Sequence, residues 1–173
     1  GFFNEGVGMG LYTLDLFSFS GNQFWDFIKG EGKPHEYMSY IGAGIACGVF
    51  KKHSFEKFLD KASPTSGLLL LNGLGFYYAY FKPEQTIKRR FFVPKTVKKD
   101  PFFLECYDNG IGRALWFYHG ANPESIAQTI ARFPEERRAG IWAGVGLAAT
   151  YAGGVAPNKI FLLKQMSGKY YDS

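Results

Sequence analysis

The sequence is poor in the residues that build disulfide, metal and membrane-spanning structures. Only two of its 173 residues are cysteine, Cys47 and Cys106, which excludes a disulfide scaffold and a four-cysteine zinc site. No uncharged apolar run reaches the roughly 18 residues that a membrane-spanning helix needs. No basic region followed by an apolar core marks a signal peptide. These absences predict a cytoplasmic protein, with the surface of a membrane as the alternative location.

Catalytic motifs of recognisable spacing are also missing. The chain has no Gly-x-Ser-x-Gly, no P-loop and no His-Glu-x-x-His. Its Gly-x-Gly pairs lack the strand, the turn and the ribose-binding acid of a dinucleotide site. The three histidines, His35, His53 and His119, include no pair at i and i+4. We therefore predict no metal site and no cofactor.

Glycine and aromatic residues are abundant instead. The chain has 22 glycines, and aromatic residues make up 18% of it. Five Gly-apolar-Gly pairs recur with 36, 31, 37 and 34 residues between the first glycines of successive pairs. Spacings of roughly 20–50 residues are typical of repeat architectures. The five pairs are Gly6 and Gly8, Gly42 and Gly44, Gly73 and Gly75, Gly110 and Gly112, and Gly144 and Gly146.

A proline precedes four of these glycine pairs at a nearly constant distance. Pro34, Pro64, Pro101 and Pro134 lie 8, 9, 9 and 10 residues before the first glycine of their pair. Proline fits the first turn of a helix, where its missing N–H is not needed, so each proline predicts a helix start. A glycine inside a helix costs about 0.5–1 kcal/mol relative to alanine. Repetition of that cost indicates helix backbones that pack closely.

Further signals predict helices that connect these units. Asn122 and Pro123 form an N-cap and a first helical position, and Gly153 with Gly154 ends the following helix. We therefore predict an all-α fold, a repeat-like array of helix–turn–helix units with glycine-rich inner helices. A compact helical domain whose glycines recur by chance and a glycine-rich β structure are the alternatives.

The predicted organisation is one all-α domain over residues 1–173. Its pseudo-repeat units lie near 1–33, 34–63, 64–100, 101–133 and 134–173. The first glycine pair would have its proline before residue 1, and the segment after Pro157 has no partner helix. Terminal repeats normally carry a polar capping face. We therefore expect a fragment of a longer chain.

Arg113 is the most unusual charged residue, because it interrupts an apolar, glycine-bearing helix. Such a charge must be paired or reach water. We interpret it as an ion-pair partner of Glu5, Asp15 or Asp108, with substrate binding as the alternative. The sequence leaves open whether the chain is an enzyme. The first candidates for acid–base chemistry are Glu5, His35, Glu36, Arg113 and His119.

Two other groups of residues are candidates for binding. Positive charge between Lys88 and Lys99, interrupted by Phe91 and Phe92, favours a membrane surface or a protein partner over nucleic acid. A solvated loop is the alternative. Aromatic side chains on the predicted helices are candidates to line a cavity for an apolar ligand, although core packing explains them equally well. They are Tyr77, Tyr80, Trp116, Trp142 and Tyr151.

A longer pattern lies in residues 108–117 (DNGIGRALWF), 120–124 (GANPE), 133–138 (FPEERR) and 142–154 (WAGVGLAATYAGG). It resembles the UnbL-type enediyne biosynthesis proteins. Blocks upstream, in residues 1–6, 34–38 and 72–76, are similar to the same family. The resemblance covers most of residues 1–154 and is most specific over 108–154.

This resemblance implies a role near the formation of an enediyne polyketide core, where a reactive apolar polyene is processed. It supplies no catalytic residues. We therefore expect a non-catalytic helical scaffold or an apolar-ligand-binding component associated with that pathway. The expected partners are other proteins of the pathway and an apolar polyene or lipid. The alternative is a cofactor-independent enzyme that acts on a polyene intermediate.

Overall fold

The computed structural model describes residues 2–19, 21–51, 55–88 and 91–171, without the side chain of Glu56. His53, Arg89 and Arg90 therefore lie outside the described residues. All regular structure within those ranges is helical, so the all-α class predicted from the sequence is confirmed. Among the described helices, none combines the length and the apolar character needed to cross a membrane.

The described residues form nine α-helices, joined by short 3-10 turns and one π-helical turn. The helices are α1 (Phe2–Phe17), α2 (Gln23–Lys29), α3 (Glu36–Phe50), α4 (Phe55–Lys61), α5 (Leu69–Phe81), α6 (Pro101–Tyr118), α7 (Pro123–Ile130), α8 (Glu135–Ala152) and α9 (Pro157–Ser167).

Local sequence signals explain several of the helix boundaries. The Asp100 carboxylate accepts a hydrogen bond of 2.8 Å from the Phe102 N–H at the start of α6. Asn122 caps α7 by accepting a hydrogen bond of 2.8 Å from the Ser125 N–H, as predicted. Each cap satisfies one of the N–H groups that a helix start leaves unpaired. Gly153, with a φ of 58°, ends α8 at the predicted place.

The helix start predicted at Pro64 is wrong. Turns and a 3-10 segment follow this proline, and α5 begins only at Leu69. Pro34 similarly lies in a 3-10 turn that leads into α3 at Glu36. Proline is compatible with both turns and helix starts because it fixes only φ, so it predicts the neighbourhood of a boundary better than its position.

Five long helices, α1, α3, α5, α6 and α8, pack against one another in that order. Glycines lie at the contacts, as Gly44 of α3 and Gly73 of α5 show. A Cβ atom on either glycine would come within 3.0 Å of the opposite backbone, nearest to the carbonyl oxygen of Leu70 or Ile41. Real Cβ atoms essentially never approach that closely. The two backbones therefore touch, and only glycine fits.

The contacts of α1 with α3, of α5 with α6 and of α6 with α8 have the same geometry as the contact of α3 with α5. At each, a Cβ on either glycine would fall under 3.0 Å from a carbonyl oxygen of the facing helix. That carbonyl always belongs to the residue three positions before the partner glycine. The pairs are Gly8 with Gly42, Gly75 with Gly110, and Gly112 with Gly144.

The shorter helices α2 and α4 are joined to the long helices α1 and α3 by a cluster of aromatic rings. Phe24 and Trp25 of α2 pack on Phe58 of α4, with ring centroids 6.0 and 4.9 Å apart. Tyr12 of α1 and Tyr40 of α3 contact the Phe58 ring edge-on. Four helices are thus held together by rings that each exclude a large apolar area from water. At the other end, α7 packs against both α8 and α9.

Candidate functional site

A buried polar network surrounds Arg113, which is 1% exposed. Its Nη2 donates to both carboxylate oxygens of Glu5, at 3.3 and 3.1 Å. Its Nη1 donates to the Asn72 side-chain oxygen at 2.6 Å. Its Nε and Nη2 donate to the Tyr151 hydroxyl at 3.3 and 3.1 Å. The predicted pairing of Arg113 with Glu5 is confirmed, and the residue links α1, α5, α6 and α8.

Two further features complete this network. The Asn72 amide donates to the Asn109 side-chain oxygen at 2.6 Å, so α5 and α6 are joined beside their glycine contact. The guanidinium of Arg113 also lies over the Phe76 ring, 5.3 Å from its centroid. Asn72 and Asn109 were missed in the sequence, although each immediately precedes the first glycine of a pair. That shared position was the signal that could have identified them.

Burial raises the pKa of Glu5, because removing the carboxylate from water disfavours its charged form. The neighbouring Arg113 opposes that shift through its charge and its hydrogen bond. The donors of Arg113 are directed at residues of the chain itself, and rings cover the group on two sides. This arrangement is that of a structural ion pair.

A second buried ion pair joins α6 to α8. Arg137 donates to the Asp108 carboxylate from Nε, at 3.2 and 3.0 Å, and from Nη2. Its Nη1 donates to the Phe91 carbonyl oxygen at 2.9 Å. Burial raises the pKa of Asp108 to about 6, and Arg137 opposes that shift. Asp108 is therefore not the partner of Arg113. Asp15 is not its partner either, because it accepts hydrogen bonds from the Gln23 and Phe24 backbone.

The structure does not assemble the five acid–base candidates into one site. Glu5 and Arg113 meet, as described. Glu36 accepts a hydrogen bond from the Ser66 hydroxyl at 3.2 Å, near the start of α3. His119, at the end of α6, lies 2.9 Å from the Thr129 hydroxyl. His35 is exposed in the turn before α3. Within the described residues, no group of three His, Cys, Asp or Glu side chains could hold a metal ion.

A groove of about 390 Å³ lies between α8 and α9. Trp142, Ala143 and Gly146 line it from α8, and Ile160 and Leu163 line it from α9. We call it the α8–α9 groove. The lining is mainly apolar, so the groove is suited to an apolar occupant.

Several residues of the lining are polar, among them Thr150, Lys164, Ser167 and Tyr170. The Thr150 hydroxyl donates to the Gly146 and Leu147 carbonyls, at 3.0 and 2.7 Å, so it is paired within its own helix. The Tyr170 hydroxyl is buried in the wall and has no hydrogen-bond partner within the described residues. Its ring lies beside the Lys169 ammonium, which is 5.2 Å from the ring centroid.

The five aromatic candidates for ligand binding lie in different places. Trp142 lines the α8–α9 groove. Trp116 and Tyr77 are buried in the core, and Tyr77 covers Gly48 of α3. Tyr80 is 40% exposed and stacks on Phe76, while Tyr151 bonds to Arg113. Trp142 is thus the one of the five that lines this groove, and ligand binding by the set stays a prediction.

The two glycines of a pair contact different neighbouring helices, in a fixed order. In α3, α5 and α6 the first glycine contacts the preceding long helix and the second contacts the following one. In α8, Gly144 contacts α6, but a Cβ on Gly146 would meet no atom within 4 Å. In α1, Gly8 contacts α3, but a Cβ on Gly6 would also meet open space. The two end helices of the set therefore each have one glycine face without a neighbour among the described residues.

Comparison with known proteins places the whole chain in one family. A family profile with the description "Protein of unknown function (DUF1702)" matches residues 1–173. The chain belongs to this family. No curated protein and no solved structure matches it. The family description gives no activity, so the similarity to UnbL-type proteins stays a prediction.

The basic segment of this DUF1702 chain is attached to the core through its phenylalanines. Phe91 packs on Phe133 with ring centroids 4.6 Å apart, and Phe92 packs on Tyr78 at 4.8 Å. The Phe92 carbonyl accepts a hydrogen bond of 3.1 Å from the Tyr107 hydroxyl. Both rings are therefore engaged within the chain. Contact of the region between Lys88 and Lys99 with a membrane surface stays a prediction.

The cysteines of this chain are inaccessible or only partly accessible thiols. Cys47 is 1% exposed, and burial raises its pKa to about 12. Cys106 is half-buried, and burial raises its pKa to about 11. Because the thiolate is the nucleophilic form, neither residue is suited to nucleophilic catalysis near neutral pH.

Proposed function

We propose that this chain is a non-catalytic helical scaffold whose α8–α9 groove binds a further apolar helix. The proposal treats α1, α3, α5, α6 and α8 as successive inner helices of a repeat, and α2, α4, α7 and α9 as connecting segments. Its support is the recurrence of one glycine contact, with the same carbonyl position, at four successive interfaces. Repeats of this kind offer extended binding surfaces because each unit needs a neighbour to cover its face.

One observation carries the proposal. Gly146 holds the position from which the second glycine of the other four pairs contacts the next helix, yet it is exposed in the α8–α9 groove. A glycine in an exposed helix position is unfavourable relative to alanine, by about 1 kcal/mol. Close approach of another backbone compensates for that cost at the internal contacts. The same compensation at Gly146 requires an occupant.

Site-specific photo-crosslinking tests this function. The photoreactive amino acid p-benzoylphenylalanine replaces Ile160, which is 38% exposed on the groove wall. The protein is then irradiated in its producing cells. We expect cross-links into a helical peptide segment, identified by tandem mass spectrometry. The matched control has the same photoreactive residue at Gln128, an exposed position of α7 away from the groove.

Two results would count against the scaffold. Equal cross-linking at positions 160 and 128 would indicate random encounters. An absence of peptide cross-links at position 160 would show that no helix occupies the groove.

The second candidate function is binding of an apolar small molecule in the same groove. Trp142 and the unpaired Tyr170 hydroxyl in its wall favour this function, since they offer an apolar surface and one hydrogen bond. In the setting implied by the resemblance to UnbL-type proteins, the ligand is a polyene of enediyne core formation. An enzyme acting on that polyene stays a prediction, because the acid–base candidates have separate partners.

A fluorescent polyene fatty acid, cis-parinaric acid, tests this second candidate. Saturable binding that Gly146→Leu abolishes and Gln128→Leu leaves unchanged would support it. Fluorescence that rises without saturation, or that is equal in both variants, would eliminate it.

A further inference from the structure

The exposed face of α1 carries an uninterrupted apolar stripe. Phe3, Gly6, Gly10 and Leu14 recur at helical spacing, and all four are exposed. Phe3 is 80% exposed and Leu14 is 52% exposed. A Cβ on Gly6 or Gly10 would meet no atom within 4 Å. We call this set the α1 stripe. Large apolar residues that flank two open glycines on one helix face indicate an interface without its partner.

We infer that the α1 stripe of one copy of this chain docks in the α8–α9 groove of another, with Gly6 against Gly146. This inference rests on the proposed scaffold function and names its partner. At every internal contact, a second glycine of one helix faces a first glycine of the next. Gly146 is a second glycine and Gly6 is a first glycine. The two open faces are therefore the complementary halves of the contact that the chain makes four times.

The internal contacts also fix the register of this docking. Each glycine faces the carbonyl three residues before its partner glycine. In the docked pair, the Phe3 carbonyl therefore lies on Gly146, and the Ala143 carbonyl lies on Gly6. The side chain of Leu14 or Phe3 then occupies the groove beside Trp142. Thr150 does not oppose this apolar contact, because its hydroxyl is paired within α8.

Such a contact uses different surfaces on the two copies. A heterologous contact of this kind leaves one open face at each end, so association continues into rings or filaments rather than stopping at a dimer. Blocking either face in every copy should abolish association. When half of the copies have a blocked α1 stripe and the other half have a blocked α8–α9 groove, only pairs of chains should form.

Sedimentation velocity with two complementary variants tests this inference. Gly6→Leu blocks the α1 stripe, and Gly146→Leu blocks the groove. Both substitutions point into open space, so both proteins should fold, as circular dichroism checks. We expect wild type to form species larger than two chains as concentration rises. Each variant alone should remain a monomer, and their equimolar mixture should form a species of two chains and no larger one.

Other outcomes overturn the inference in recognisable ways. A monomeric wild type contradicts it, as does a variant mixture that does not pair. If Gly146→Leu alone abolishes association while Gly6→Leu still dimerises, the groove binds its own copy symmetrically. If wild type is monomeric but position 160 cross-links to a helix of another protein, the scaffold function stands and self-association fails. If position 160 cross-links to no peptide, the scaffold function fails as well.

Discussion

Glu5 and Arg113, 108 positions apart in the chain, form an ion pair of 3.1 Å that is almost entirely removed from water. The pair joins the first long helix to the fourth, across helices that otherwise contact mainly their neighbours in sequence. The rings of Phe2 and Phe117, 5.8 Å apart, pack beside it. A buried ion pair and an aromatic contact therefore both join the first long helix to the fourth.

Removing one member of this pair should be strongly destabilising. Arg113→Met leaves the Glu5 carboxylate and the Asn72 side-chain oxygen without the donor that Arg113 supplies, and the cost of breaking a buried pair is about 3–5 kcal/mol. We expect a loss of that size in the free energy of unfolding, measured by urea denaturation. The double variant Glu5→Leu with Arg113→Met should recover much of the loss, because no buried charge then remains. A loss no larger for Arg113→Met than for Gln128→Leu would show that the pair is energetically unimportant.

Gly144 and Gly146 of α8 should respond oppositely to the same substitution. Gly144→Ala forces a Cβ against the Asn109 carbonyl and should cost at least the 1–3 kcal/mol or so that is typical of overpacking. Gly146→Ala places its Cβ in open space and should stabilise a single copy by about 0.5–1 kcal/mol through helix propensity. Thermal unfolding of dilute protein measures both. Equal effects at the two positions would contradict the glycine contacts described for α6 and α8.

The sequence was sufficient for the helical class and for part of the site. Periodic glycines and the Asn122 cap are local signals, and local signals can be recognised in a single sequence. Arg113 was recognised because an apolar helix cannot leave a charge unpaired, and Glu5 was among its three expected partners. The choice of Arg137 for Asp108 was not predictable, because it depends on how α6 and α8 are rotated about their contact. The same holds for Phe91 and Phe92, whose rings pack inside the chain.

His119 should make a destabilising contribution to the fold when the pH falls below about 6.5, visible as a difference between wild type and a His119→Gln variant. Partial burial lowers the pKa of this histidine in the folded chain, because it disfavours the charged ring. Protonation then favours the unfolded state, in which the pKa is about 6.5. We expect wild type to lose stability relative to His119→Gln as the pH falls below about 6.5. Urea denaturation across this range measures the difference, and parallel curves for the two proteins would refute the prediction.

The two thiols should react slowly and in a fixed order. With pKa values of about 12 for Cys47 and about 11 for Cys106, little thiolate is present at pH 8. We expect alkylation of the native protein to modify Cys106 before Cys47, because Cys106 is the more accessible. Peptide mapping after timed exposure to iodoacetamide identifies the sites, and denatured protein should react quickly at both. Rapid modification of Cys47 in native protein would indicate an opening of the α1–α3 contact that surrounds it.

The order of the glycine contacts has a consequence for synthesis on the ribosome. Each contact joins a helix to the one translated shortly before it, so α1, α3 and α5 can pack as soon as they emerge. Glu5 must then wait in water until Arg113 has left the exit tunnel. The nascent chain therefore carries a hydrated carboxylate at one end of a largely formed core. We therefore expect burial of Glu5 to be a late event, completed only when the fourth long helix has packed in its final register.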